Sequence, residues 1–91
     1  MYQIQPYTQQ QARALGVTVR PSTNPKKKVD VYEDGKKVAS IGDIAYLDYP
    51  SHMKEHGKAM ADERRRLYHL RFKRSSNKIG SPAYFSARLL W

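Results

Sequence analysis

The chain has 91 residues, no cysteine, and 17 Lys and Arg against 8 Asp and Glu, a formal net charge of +9. This length allows one domain with a small core, and the missing thiols exclude both a disulfide framework and a cysteine-ligated zinc site. Ten Phe, Trp and Tyr residues interleaved with basic clusters argue against disorder and for a polyanionic partner, nucleic acid first and an anionic membrane or acidic protein surface second. No apolar run approaches a membrane span and the opening does not read as a signal peptide, so a soluble protein that is not secreted is expected.

Thr8 and Gln11 have capping-box spacing, and Gly16 suits the left-handed position after a helix. A short helix is therefore expected over about residues 9–15, with Ala12 and Leu15 inward. It is too short to persist alone and must dock. Residues 17–20 read as a brief extended segment, and Pro21 to Pro25, PSTNP, as a loop.

Asp34-Gly35, between two β-rich runs, predicts a two-residue type I′ hairpin turn. The register it sets pairs Glu33 with Lys36, Tyr32 with Lys37, and Val31 with Val38. Val29, Val31 and Val38 then share one face, and Tyr32, Ala39 and Ile41 the other. With apolar residues on both faces, the hairpin is expected to be covered by the long helix on one side and the N-terminal segment on the other.

Gly42 ends the second strand, and a connector containing Asp43 and Asp48 leads to Pro50. That proline suits the first turn of a short helix through about His56, with Gly57 as its stop. Lys58 to Arg74, KAMADERRRLYHLRFKR, is the longest helical segment, free of Gly, Pro and β-branched residues. Asp62 and Glu63 come early and Arg71, Lys73 and Arg74 late, the order the helix dipole favours.

At 100° per residue, Met60, Ala61, Leu67, Tyr68 and Phe72 share one arc, with Leu70 on its flank. Lys58, Asp62, Arg65, Arg66, His69 and Lys73 lie opposite. Arg64 and Arg71 fall inside the apolar arc. Either their stems cover the core edge while the guanidinium groups reach water or an acid such as Asp43 or Asp48, or both point into a groove that receives an anion. After a polar loop, Ser81-Pro82 supplies the cap and first position of a last short helix, with Tyr84, Phe85, Leu89, Leu90 and Trp91 available to bury. The expected fold is α+β, a single small basic domain over 1–91. A β-hairpin, with or without a third strand, packs on one long basic helix and two or three short ones.

His52 and His56 have the i, i+4 spacing of a helical metal pair, with Glu55 between them. The order is not H-E-x-x-H and no third ligand is evident, so no metal or cofactor is expected. The acids form no paired-carboxylate motif and the glycines no phosphate loop. No catalytic residue is assigned and no enzyme is expected; a small nuclease is the third reading.

The basic clusters are the candidate sites. Lys26, Lys27 and Lys28 enter the hairpin, Lys36 and Lys37 leave its turn, the long helix adds Arg65, Arg66, Lys73 and Arg74, and Lys78 lies in the next loop. A charge run is most often a solvated face, yet several around one small domain can form a continuous phosphate-binding surface. No groove-reading motif accompanies them, so binding would be largely independent of sequence.

From Gly42 to Trp91 the chain resembles a family of small, basic, uncharacterised proteins encoded by large DNA viruses and by some phages. The likeness is carried by Gly42, Tyr46, Asp48-Tyr49, Asp62, Glu63, Arg64, Arg66, Tyr68, Arg71, Lys73, Gly80, Phe85 and Leu90-Trp91. Upstream, PST followed by lysines and a short DG hairpin is similar in phage-like members. Relatives often read Arg-His-Lys-Lys where this chain has Arg71-Phe72-Lys73-Arg74, so the resemblance supplies no catalytic histidine. It implies a viral origin and a domain of unknown function, and favours a virion component or genome-associated protein in the virion or the host-cell interior. The non-enzymatic structural role expected here follows from the missing catalytic constellation. The expected partner is nucleic acid, DNA before RNA. The alternative is a minor capsid or lattice component that binds acidic protein surfaces.

Overall fold

The computed structural model describes residues 2–91 and arranges them as four α-helices and a three-stranded antiparallel sheet of order β1-β2-β3. Helix α1 is Pro6–Leu15, followed by β1 Thr18–Pro21, β2 Lys27–Glu33 and β3 Lys36–Asp43. Helices α2 Tyr49–His56 and α3 Lys58–Arg71 come next, then a 3₁₀ turn Ser75–Asn77 and α4 Pro82–Leu89. The α+β class is as expected. The third strand is the extended segment after Gly16, which pairs with β2 from Thr18 opposite Tyr32 to Pro21 opposite Val29.

Proline starts three of the helices. Pro6, Pro50 and Pro82 sit in first turns, where no N–H is needed and the ring presets a helical φ. Asp48 caps α2 by accepting from the Ser51 N–H (3.0 Å), and Ser81 caps α4 by accepting from the Tyr84 N–H (3.1 Å). Helix α1 begins at Pro6 rather than after Thr8; Thr8 lies buried inside its first turn and is not its cap.

Asp34 (φ 52°) and Gly35 (φ 81°) both take the left-handed backbone that a type I′ turn requires. Glu33 faces Lys36 and Tyr32 faces Lys37, as the turn dictates. Beyond them the expected register fails, because Val31 faces Ala39 and not Val38. Val38 is the extra residue of a β-bulge and is left 41% exposed. That one-residue slip moves Ala39 and Ile41 onto the face of Val29 and Val31, so these four aliphatic residues share one face, while Lys28 and Asp30 are buried on the other.

This face and Val19 of β1 pack with Ala12 of α1, Phe85 and Leu89 of α4, and Leu90. The helix laid against the hairpin is α4, while the long helix α3 packs on α2. Of α3 only Ala61 is buried; Met60 and Leu67, expected inward, are 43% and 42% exposed. Where β3 ends, Gly42 has φ 79°, and a Cβ there would lie 2.7 Å from Leu90 Cδ1. Only glycine admits both that backbone and that approach.

Two carboxylates are buried. Asp30 accepts from the Ser22 and Ser40 hydroxyls (2.7 and 2.6 Å) and the Thr23 N–H (3.3 Å), tying the β1–β2 loop to β3. Asp48 accepts from the Tyr2 hydroxyl (2.6 Å) and from Lys28 Nζ (3.2 Å) in addition to capping α2. The N-terminal arm, β2 and α2 therefore meet at one side chain. Burial pushes the Asp48 carboxyl up, but the hydrogen bonds from Tyr2 and Ser51 and the Lys28 charge outweigh it and hold it below its ordinary value. Asp30 is lowered in the same way, its burial outweighed by Ser22, Ser40, Thr23 and Lys37.

A carboxylate depressed in the folded state stabilises the fold above its unfolded value of about 3.9 and loses that contribution as pH falls through the folded one. Thermal stability should accordingly fall as pH is lowered below about 4. Asp48→Asn should lower the melting temperature at pH 7 and flatten that acid limb. Circular-dichroism melts across pH 2–7 check this, and an unchanged limb would count against the assignment.

Candidate nucleic-acid interface

The rotation of α3 about its own axis decides which of its cations are available. Ala61, Arg65, Tyr68 and Phe72 follow one another at i, i+4, i+7 and i+11, and this row faces the protein. Arg65 is its centre. Its Nε donates to the main-chain oxygen of Trp91 (2.7 Å), its Nη2 donates to the Tyr7 hydroxyl (2.9 Å), and its guanidinium lies over the Tyr49 ring at 3.9 Å. The Trp91 ring stacks on Tyr68 at 4.6 Å with 8° between planes, and the Tyr68 hydroxyl donates to Ser86 Oγ (2.9 Å). Tyr49 donates to Asp62 (2.8 Å), which also holds Lys58 (2.7 Å).

The seat therefore belongs to Arg65, which the wheel placed on the solvent side. Arg64 and Arg71 are exposed and make no ion pair among the described residues, so neither pairs with Asp43 or Asp48. They share the adjacent row with Met60 and Leu67, at 60, 64, 67 and 71. That row is an outer surface of mixed apolar and cationic character. Arg64 lies near enough to His52 to help lower its pKa, after burial and ahead of His56. The His52 and His56 rings are 5.8 Å apart, and His52 also packs against Trp91. Among the described residues no group of three His, Cys, Asp or Glu could hold a metal ion.

The ten candidate basic residues fall into three conditions. Lys28 and Arg65 are corrections. Lys28 is buried on Asp48 beneath the Tyr2 ring, and Arg65 is held internally, so neither can meet a partner's phosphate. Arg66 is exposed but paired in two hydrogen bonds with Glu63 (2.6 and 3.1 Å), and Lys37 lies 3.9 Å from Asp30. Lys26, Lys27, Lys36, Lys73, Arg74 and Lys78 carry no ion pair among the described residues.

Lys26 and Lys27 lie at one end of the hairpin and Lys36 and Lys37 at the other, separated by roughly 20 Å of strand. The exposed cations of α3 and the turn beyond it that carry no ion pair among the described residues are Arg64 and Arg71 on the outer row and Lys73, Arg74 and Lys78 after the helix end. From Arg64 to Trp91 there are eight Lys and Arg and no Asp or Glu, so no acid of this segment can neutralise them. That block was the available signal for the location of the field, and contact with the fold selects its free members.

Comparison with protein-family models, with curated proteins and with solved structures returns no match. No helix among the described residues is long and apolar enough to cross a membrane.

Arg65→Met should destabilise the domain by about 2–3 kcal/mol, the combined worth of two hydrogen bonds and a cation–π contact, and should shift Trp91 fluorescence. Arg64→Met should change stability by less than about 0.5 kcal/mol and leave the emission alone. Equal effects in urea titrations would contradict the inward placement of Arg65.

Proposed function

We propose that this protein is a non-enzymatic nucleic-acid-binding module whose interface is the outer row of α3 and the turn after it. The observation that carries this reading is the group of five exposed cations, Arg64, Arg71, Lys73, Arg74 and Lys78, in a segment without acids. Duplex DNA presents one charge per roughly 1.7 Å, and a short cationic helix face can neutralise several phosphates without reading a base. Resemblance to small basic viral and phage proteins supports a role in a virion or an infected cell, at the genome or the inner capsid. DNA is the favoured partner.

One observation favours a second reading. Met60, Leu67 and Leu70 are exposed among these arginines, at 43%, 42% and 66%. Apolar anchors ringed by arginine suit a protein surface better than a phosphate backbone. On that reading the protein is a minor capsid or lattice component bound to an acidic protein face.

A titration of the purified chain with short duplex DNA separates the two. With about four phosphates neutralised, log affinity should fall against log salt with a slope near −3.6, so a fourfold rise in salt weakens binding roughly a hundredfold. The Arg71→Glu, Arg74→Glu double variant should flatten the slope equally for unrelated sequences, while Lys36→Glu, Lys37→Glu should matter less. Absence of DNA affinity even at low salt ends the nucleic-acid reading and leaves the acidic protein partner.

A further inference from the structure

The C-terminal end of α3, the 3₁₀ turn and α4 enclose an open groove of about 360 Å³, lined by His69, Lys73, Ser76, Asn77, Ala87 and Arg88. Three of these side chains are cationic or can become so, two offer neutral donors, and none is a carboxylate. A groove with that lining is a poor place for water-exposed salt bridges and a good one for an oxyanion.

Arg88 is what distinguishes it from a patch of surface lysines. Its guanidinium is half-buried and fixed from one side, with Nη1 donating to the main-chain oxygens of Ser76 (3.1 Å) and Tyr84 (3.3 Å). The cation lies over the Tyr84 ring at 3.8 Å. Among the described residues its Nε and Nη2 donate to nothing. A guanidinium held in this way has already lost its rotamer freedom, so less entropy is forfeited when an anion binds the remaining edge. Lys73, in the turn just beyond α3, adds an exposed ammonium. Asn77 and Ser76 sit on the 3₁₀ turn, which the Ser76 N–H bond to the Phe72 oxygen (2.8 Å) holds against the helix end.

We infer that this groove is a seat for a single terminal phosphate group, gripped by the free edge of Arg88 and by Lys73, with His69 and Asn77 at its rim. A phosphomonoester suits it better than an internal diester. The terminal group carries more charge, presents three free oxygens to donors from three elements, and can enter end-on. Lys73 belongs both to this groove and to the cations proposed to meet nucleic acid, whereas His69, Asn77 and Arg88 belong to the groove alone. A general phosphate surface would hold a 5′-phosphorylated strand and its 5′-hydroxyl counterpart equally, and only the seat would prefer a terminal phosphate. Its natural source is either a phosphorylated nucleic-acid end or a small phosphorylated molecule.

The test uses the full chain and three probes at matched ionic strength: inorganic phosphate, a short single-stranded oligonucleotide bearing a 5′-phosphate, and the same oligonucleotide with a 5′-hydroxyl. Affinity is read by calorimetry and location by NMR of the His69 ring, the Asn77 amide and the Arg88 Nε–H. The phosphorylated oligonucleotide should bind at least ~10-fold tighter than its hydroxyl counterpart and shift all three reporters, as expected for charge-assisted hydrogen bonds. Arg88 also holds Ser76 and Tyr84, and its removal can unfold the turn. The diagnostic variants are therefore Lys73→Gln and His69→Gln, on exposed positions, which should together erase the preference while leaving the fold intact. Inorganic phosphate saturating the same reporters as tightly as the phosphorylated strand assigns the seat to small phosphates; preference for the strand assigns it to nucleic-acid ends. Equal affinity for both strands, with no response of the reporters to phosphate, overturns the site.

Discussion

Arg65 fixes the long helix, and much else follows from that contact. Helix α3 lacks the apolar stripe needed to dock by burial alone, since of its residues only Ala61 is fully covered. A planar cation does the docking instead, bridging Tyr7 of α1, the Tyr49 ring of α2 and the main-chain oxygen of Trp91. Those partners are distant in sequence, and a rigid fork satisfies them all only at one rotation of the helix. At that rotation Arg64 and Arg66 lie about 100° to either side, outside the packed row. The internal role of one arginine thus determines the external role of its neighbours.

The same economy of apolar surface appears elsewhere. A domain of this size buries a small core, and here the cluster is supplied by three strands, α1 and α4. The remaining segments are attached by polar junctions. Asp48 joins the N-terminal arm, β2 and α2, and Asp30 joins the β1–β2 loop to β3. Removing one partner of such a buried pair costs roughly 3–5 kcal/mol, although the pair itself contributes little beyond what apolar residues would. These junctions serve to specify arrangement more than to add stability. They also consume charge: Lys28 and Arg65 are cations the fold uses internally, unavailable to any partner.

What could be read from the sequence was local. The Asp34-Gly35 turn, the Ser81-Pro82 start, the Pro50 helix with its Gly57 stop, and the glycine after α1 all follow from backbone preferences within a few residues. Tertiary choices were hidden. The bulge at Val38 has no signature in KKVAS; its effect, visible only in the packed fold, is to put Ala39 and Ile41 beside Val29 and Val31 on the face that receives α4. Lys28 stands in a run of three lysines whose members look alike until Asp48 and Tyr2 arrive from elsewhere in the chain. A helical wheel ranks α3 by hydrophobicity and so put Met60 and Leu67 inward. Tyrosine rings and a tryptophan carbonyl make an arginine the better inward residue, and a wheel cannot register partners that lie outside the helix. The block without acids after Glu63 was legible, and it marks the field that the fold leaves exposed.

The central claim is that the outward row of α3, not the hairpin, is the surface that meets a polyanion. Amide-resolved NMR of the chain with increasing amounts of a short duplex at low salt tests this most directly. The account predicts perturbations concentrated on Arg64, Leu67 and residues 71–78, with the Lys28 amide unmoved. Perturbations confined to Lys36 and Lys37 at the hairpin tip, or none on α3 while binding is detected, would contradict it.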